Sequence, residues 1–191
     1  MLHAPALPPP SALTAPAHPS APIPSRTGAA GLAAALAAAA GRWLHLVEYR
    51  PTSRWTHLLP AADAAEALHP ALHADLLTAQ VWLLSWLPGQ GTPLHDHGDS
   101  AGAFTVVRGT LTERVVAAGR AGGTVRQTTV DLTAGRVRHF GPHHVHQVTN
   151  TEAGAAVSVH VYTPGLTRMN TYRIDDGRLL QTGTEQAGVD W

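Results

Sequence analysis

Two histidines, His95 and His97, stand two residues apart just after an apolar run at 81–87. The run is bounded by Pro88 and Gly89, so it predicts a mostly buried strand. If the chain stays extended through both histidines, the two-residue period of a strand places their rings on one face, roughly 6–7 Å apart. Two neutral imidazoles at that spacing can bind one ion, and imidazole suits iron, zinc, copper and nickel. The pattern therefore predicts a metal site.

A third ligand must come from another segment, and the chain is rich in histidine after residue 138. His144 and His146 have the same strand parity, so spacing alone leaves both as candidates. Asp96 points away from the face shared by the first two histidines, if the strand continues. We expect Asp96 and Asp99 to take turn or supporting roles rather than to bind the ion.

Ser158, His160 and Tyr162 alternate along a second apolar segment, at 156–163. Alternation places all three side chains on one face of a strand. A hydrogen-bond relay from Ser158 through His160 to the Tyr162 hydroxyl would hold that hydroxyl in place and allow proton transfer. Three polar side chains on one strand face are equally compatible with a solvated surface, so the spacing alone does not assign them a role.

The elements that position these residues are short strands, which dominate from residue 80 onward. Strand segments separated by glycine-containing turns predict an antiparallel sandwich or barrel over residues 80–191. The predicted strands are 81–87, 102–107, 110–116, 124–132, 137–140, 144–149, 156–163 and 169–173. The fold class is therefore mainly β.

A helical part is predicted before the barrel, over residues 28–79. Alanine is the best helix former and fills the segment 28–40. Leucines at helical spacing predict a second helix at 61–79, which Pro70 splits or bends. We expect this part to pack on the barrel in a single globular domain. Residues 1–27 consist mostly of Pro, Ala and Ser, and we expect them to be disordered.

The composition excludes several classes of function. The chain has no cysteine, so disulfides, thiolate metal sites and a cysteine nucleophile are excluded. The formal net charge is zero and charged residues are few, which does not favour binding to nucleic acid or to a membrane. The absence of cysteine is compatible with the cytoplasm, which we take as the expected location.

The spacing Gly89-x5-His95-x-His97-x4-Gly102-x6-Gly109 resembles the first signature of the cupin superfamily. That signature usually has Glu where Gly102 stands here. Further along, His146 and Asn150 resemble the His-x3-Asn core of the second cupin signature. The resemblance implies a double-stranded β-helix, or jelly-roll, barrel. It also implies that His95, His97 and His146 are the metal ligands, which favours His146 over His144.

Two stretches, 86–100 and 156–164, are similar to the cysteine dioxygenase type I family. The resemblance implies a ferrous, Fe(2+), centre with three histidine ligands. It also implies that the run Ser158, His160 and Tyr162 lies beside this centre and supplies the catalytic residues. It implies an enzyme of sulfur metabolism that adds both atoms of O2 to a small thiol, giving a sulfinic acid. Animal members carry a cysteine at the position of Gly102 that crosslinks to the tyrosine. This chain lacks cysteine, as bacterial relatives do, and cannot form that crosslink.

The family binds the substrate carboxylate with an arginine in a stretch that aligns here with residues 54–58. The best register places His57 at the position of that arginine, and Arg54 lies nearby. His57 and Arg54 are therefore both candidate substrate-binding residues. The resemblance implies L-cysteine as the substrate and a monomer as the functional form. The alternatives are a dioxygenase for 3-mercaptopropionate or another thiol, and a non-enzymatic cupin that binds a metal or a ligand.

Overall fold

The computed structural model describes residues 27–117, 119 and 123–188. The expected disorder of residues 1–27 falls almost wholly outside these residues. Helix α1 (Gly28–Ala38) forms in the alanine-rich segment, as predicted. Three short 3₁₀ turns lie at Ala40–Arg42, Leu44–Leu46 and Pro70–Leu72. No helix in the described part of the chain is long and apolar enough to cross a membrane.

Pro70 interrupts the second predicted helix. Helix α2 (Ala61–Ala67) ends before it, and helix α3 (His73–Leu76) begins only after the 3₁₀ turn that Pro70 opens. A proline has no amide hydrogen and its ring clashes with the preceding turn, so a continuous helix cannot pass through this position. The predicted split is therefore confirmed.

The described residues form eleven strands. In chain order they are β1 (Trp55–Leu59), β2 (Gln80–Trp86), β3 (Leu94–His95), β4 (Ala101–Arg108), β5 (Thr110–Ala117), β6 (Arg126–Thr133), β7 (Val137–Phe140), β8 (Val145–Thr149), β9 (Ala156–Thr163), β10 (Arg168–Asp175) and β11 (Arg178–Gln186). All eight predicted strands are present. Strands β1 and β11 were not predicted, and of the extended segment considered at His95 and His97 only the two-residue strand β3 forms. Strand β1 lies in the part of the chain that was expected to be helical.

The strands form two antiparallel sheets. The five-stranded sheet has the order β1-β2-β9-β4-β7, and the six-stranded sheet has the order β11-β10-β3-β8-β5-β6. Apolar side chains from both sheets meet in one buried cluster, which includes Trp86, Phe104, Leu111 and Val148. The fold is thus the predicted mainly β, double-stranded β-helix barrel.

The central strands of the five-stranded sheet are buried on both faces. Val157, Val159 and Val161 of β9 belong to a cluster with the leucines of α1, on the outer face of the sheet. The alternate residues of β9 face the barrel interior. This explains why β2 is almost continuously apolar and why β9 is buried along nearly its whole length. It also places the polar residues Ser158, His160 and Tyr162 inside the barrel.

Candidate metal centre

His95, His97 and His146 come together inside the barrel. His95 is the last residue of β3 and lies directly opposite His146 of β8. One side-chain nitrogen from each of the three lies within 4.8 Å of the others. Strand β3 ends before His97, so the extended segment is shorter than predicted, but the His97 ring still lies 4.9 Å from that of His95. All three side chains are buried.

Hydrogen bonds determine which nitrogen two of these histidines present. His95 Nδ1 lies 2.9 Å from the carbonyl oxygen of Pro93, and His146 Nδ1 lies 2.7 Å from Glu113 Oε1. Both partners accept only, so each Nδ1 carries the hydrogen and each Nε2 keeps a lone pair. The Nδ1 of His97 is buried and has no hydrogen-bond partner among the described residues. The cluster therefore offers metal-binding nitrogens that no other group uses.

Burial favours the neutral form of all three rings. Burial lowers the pKa of His95 and of His97 well below its ordinary value, and the neighbouring histidines lower it further. Burial also lowers the pKa of His146, although the hydrogen bond with Glu113 acts in the opposite direction. Only the neutral ring can bind a metal, so the buried cluster is ready to bind one without first losing a proton.

His144, the alternative third ligand, lies outside this cluster. Its Nε2 is 3.4 Å from Glu113 Oε1, and its side chain is 19% exposed. One of its ring nitrogens lies within 4.8 Å of ligand atoms of Glu113 and His146, but His144 is not part of the group that contains His95 and His97. Asp96 is buried but faces away from the cluster, where it accepts hydrogen bonds from the Gly98 amide and the Tyr172 hydroxyl. Asp99 pairs with Arg168 near the surface.

Part of the predicted relay is present. Trp86 Nε1 donates a hydrogen bond to Ser158 Oγ over 2.9 Å, and Ser158 Oγ lies 2.9 Å from His160 Nε2. The described residues show no hydrogen bond between His160 and Tyr162, whose ring centroids are 6.4 Å apart. His160 instead stacks on Phe104, 4.9 Å away. The relay as predicted thus stops at His160.

Tyr162 lies beside the cluster, with its ring centroid 5.0 Å from that of His97. Burial raises the pKa of Tyr162, and the nearby Arg54 guanidinium offsets only part of this effect. Burial also lowers the pKa of His160 to about 3, and His146 and Arg54 lower it slightly further. At neutral pH the tyrosine therefore keeps its hydroxyl hydrogen and His160 is uncharged.

The two candidate substrate-binding residues lie on different sides of the five-stranded sheet. Arg54 lines the small cavity that contains the three histidines and Tyr162, and its guanidinium lies 5.9 Å above the Trp86 ring. His57 stacks on Trp55 with parallel rings 5.4 Å apart. Trp55 belongs to the cluster under α1, so His57 faces the helical side and is not among the residues that line the cavity. Of the two, only Arg54 is placed to contact a molecule in the cavity.

Phe140 fills the space beside Gly102, where many cupins have a glutamate ligand. A Cβ atom on Gly102 would lie 2.8 Å from the Phe140 ring and 2.6 Å from the carbonyl oxygen of Val161. Phe140 also stacks on His97, with centroids 4.5 Å apart. The structure therefore has no room for a fourth ligand from this position.

Sequence reasoning missed Glu113, which is fully buried in contact with His146. The signal was a single acidic residue in β5 at the same parity as the buried Leu111, while polar residues occupy the other face. The hydrogen bond from Trp86 to Ser158 was also not predicted from the sequence.

Comparison with known proteins agrees with this geometry. The sequence profile of the cysteine dioxygenase type I family matches residues 75–175, which include all the histidines of the cluster and the Ser158–Tyr162 segment. No curated protein matches the chain.

The solved structures that match this chain share little sequence identity with it. An oxalate oxidase is 16% identical, with 60% of this chain and 53% of that chain covered and a TM-score of 0.46. Protein TT1209 from Thermus thermophilus is 21% identical, with 64% and 93% covered and a TM-score of 0.43. An oxalate decarboxylase from Bacillus subtilis is 16% identical, with 68% and 30% covered and a TM-score of 0.49. This chain spans about half the length of the oxalate oxidase.

The family profile covers more than half of the 191 residues, and it covers the part of the chain that forms the cluster and most of the cavity. The chain belongs to the cysteine dioxygenase type I family.

Proposed function

We propose that the protein is an iron(II)-dependent dioxygenase that converts a small thiol to a sulfinic acid, and that L-cysteine is its substrate. The observation that carries the proposal is the buried cluster of three neutral histidines, which lies in a cavity together with Arg54 and Tyr162. Family membership supports the reaction class.

The residues present fit a ferrous ion. Three neutral imidazoles bring no negative charge, so a bound divalent cation would keep its full charge and retain open coordination positions. Among the described residues, no carboxylate lines the cavity. When bound, iron(II) supplies the place where the thiolate and O2 react, and the sulfur gains both oxygen atoms.

Arg54 binds the carboxylate of the substrate in this proposal. Its guanidinium is held near the cavity by the Trp86 ring, and its Nη1 donates a hydrogen bond to the Gly91 carbonyl over 3.4 Å. Burial lowers the pKa of Arg54, but guanidinium remains charged in proteins. A charged, planar donor inside a largely apolar cavity favours an anionic partner such as a carboxylate. We do not include His57 in the proposed site, because its ring lies on the helical side of the sheet.

Tyr162 acts in this proposal as a hydrogen-bond donor toward the reacting groups. Its hydroxyl stays protonated because burial raises its pKa, and its ring is next to His97. His160 is held by Ser158 and by stacking on Phe104, so we propose that it acts as a wall that fixes the orientation of Tyr162. A protonated donor at this place can stabilise negative charge that develops on the reacting oxygen atoms.

Oxygen uptake by the iron(II)-loaded protein tests the proposal, with L-cysteine and 3-mercaptopropionate measured in parallel and the products identified by mass. We expect cysteine-dependent uptake and a product heavier by two oxygen atoms. His95→Ala protein treated in the same way controls for oxidation by free iron. Preference for 3-mercaptopropionate would keep the reaction class and replace the substrate. No thiol-dependent uptake by iron-replete protein would refute the dioxygenase and favour a non-enzymatic cupin.

A further inference from the structure

Glu113 is an acidic residue with a fully buried side chain, in β5 of the six-stranded sheet. A buried charge is costly unless several partners compensate it. Nothing in the substrate chemistry above uses Glu113, so its contacts must explain its presence inside the barrel.

Both carboxylate oxygens of Glu113 have partners. Oε1 accepts a hydrogen bond from His146 Nδ1 over 2.7 Å and has a longer contact of 3.4 Å with His144 Nε2. Oε2 accepts a hydrogen bond from Arg138 Nε over 2.6 Å. Arg138 lies in β7, in the opposite sheet. The carboxylate is therefore held from both sheets and cannot rotate without losing a charged partner.

We propose that Glu113 is a positioning residue that holds His146 in the tautomer needed for metal binding, with Nδ1 protonated and Nε2 available. A carboxylate can only accept, so it selects the Nδ1–H form of the ring. Partners of this kind orient metal-bound histidines and increase their basicity. The inference rests on the three-histidine metal site of the proposed function, but it does not require that the site oxidise thiols.

The same side chains could be interpreted as a second metal site, because ligand atoms of Glu113, His144 and His146 also lie within 4.8 Å of one another. Arg138 argues against this. Its guanidinium already pairs with Glu113 at 2.6 Å and would repel a cation bound there. His146 would also have to lose its Nδ1 hydrogen. We therefore expect one metal ion per chain.

Glu113→Gln gives a specific test. His146 Nδ1 and Arg138 Nε each donate to a different carboxylate oxygen of Glu113, whereas glutamine has only one side-chain oxygen that can accept. If the amide oxygen pairs with Arg138, its NH2 group faces His146 and favours the wrong tautomer. We expect metal affinity, measured by competition with a chelator, to fall about 10- to 100-fold. Adding Arg138→Met removes the competing donor, so the double variant should recover most of the affinity.

Asp75→Asn is the matched control. It removes a buried carboxylate that lies outside both histidine groups and should leave the affinity unchanged.

Two further readouts separate positioning from general stability. The EPR spectrum of the ferrous nitrosyl adduct should change in Glu113→Gln and return in the double variant. In metal-free wild-type protein, ¹⁵N NMR should show His146 protonated at Nδ1 and not at Nε2. This measurement needs only the wild-type protein, so it tests the proposal even if the variants do not fold.

Three results would overturn the proposal: wild-type affinity and spectrum in Glu113→Gln, an Nε2–H tautomer of His146 in the wild type, or two metal ions per chain with one lost in Glu113→Gln. Wild-type protein that binds metal but oxidises no thiol would refute the proposed function and leave the role of Glu113 intact.

Discussion

Gly102 lies directly opposite Tyr162 in the β4–β9 pair, the position from which a cysteine could reach the tyrosine ring. A cysteine does not fit there, because its Cβ would lie 2.6 Å from the carbonyl oxygen of Val161 and 2.8 Å from the Phe140 ring. We expect Gly102→Cys to lower the free energy of unfolding by about 1–3 kcal/mol, as overpacked sites do. Urea denaturation measures this.

Gly141→Ala is the matched control for that change. It lies next to Phe140 but has open space around its Cβ position, so its stability should stay close to the wild-type value. A Gly102→Cys protein as stable as the wild type, with a mass loss that indicates a crosslink to Tyr162, would contradict the packing argument.

Variants of the three clustered histidines should retain less iron than a variant of the neighbouring His144. We expect His95→Ala and His146→Ala each to abolish retention, because two imidazoles remain where three converge within 4.8 Å. His144→Ala should keep most of it, since His144 is not among the three clustered ligands and makes a long, 3.4 Å contact with Glu113 instead. Iron per chain after desalting decides the matter, and an iron-replete His146→Ala protein would disprove the ligand set.

Tyr162→Phe removes only the hydroxyl group. The three histidines are untouched, so iron should be retained, whereas turnover should fall about 10²- to 10⁴-fold if the hydroxyl takes part in the reaction. Oxygen uptake and sulfinic acid should be measured together. Full turnover with one product molecule per O2 consumed would remove Tyr162 from the mechanism.

Arg54 and His57 can be separated by matched leucine variants. Arg54 lines the cavity, so Arg54→Leu should lower kcat/KM for a carboxylate-bearing thiol on the order of 100-fold, as expected for loss of a buried charged partner. His57→Leu should stay near the wild-type value, because His57 stacks on Trp55 on the other side of the sheet. The reverse order of effects would restore His57 as the substrate-binding residue.

Stability of the metal-free protein should depend on pH through the buried histidines. Burial lowers the pKa of His160 to about 3, below its ordinary value of 6.5, so between these values the unfolded state binds more protons. The free energy of unfolding should therefore be highest above pH 6.5 and fall as the pH is lowered toward 3. His95 and His97 act in the same direction.

Urea denaturation of the metal-free protein at a series of pH values measures this dependence. His160→Gln should reduce the slope. A stability that is constant between about pH 6.5 and 4 would contradict the burial of neutral histidines.

Much of the fold could be predicted because alternating or continuous apolar runs mark strands that are buried on at least one face. β3 has only two residues, and β11 is polar and largely exposed, so neither leaves such a signal. β1 is a five-residue edge strand in the part of the chain where helical patterns dominate.

The site was predictable to the extent that it depends on local spacing. His95 and His97 are two residues apart, and signature spacing favours His146. The local pattern marks Glu113 only as an acidic residue at the buried parity of β5, and its contact with His146 depends on the pairing of β5 with β8. The choice between Arg54 and His57 depends on which residue enters β1 and on which face it points. A strand changes face at every residue, so a small error in register reverses the answer.

The two sheets carry different parts of the proposed chemistry. His95 and His146 belong to the six-stranded sheet, whereas Tyr162 and its supporting residues belong to the five-stranded sheet. A substitution that widens the gap between the sheets would leave an ion bound to the histidines but increase its distance from the Tyr162 hydroxyl. Iron content is therefore a poor proxy for an intact enzyme when variants are screened. A library sorted on metallation alone would be expected to retain inactive members, and only a direct assay of product would detect them.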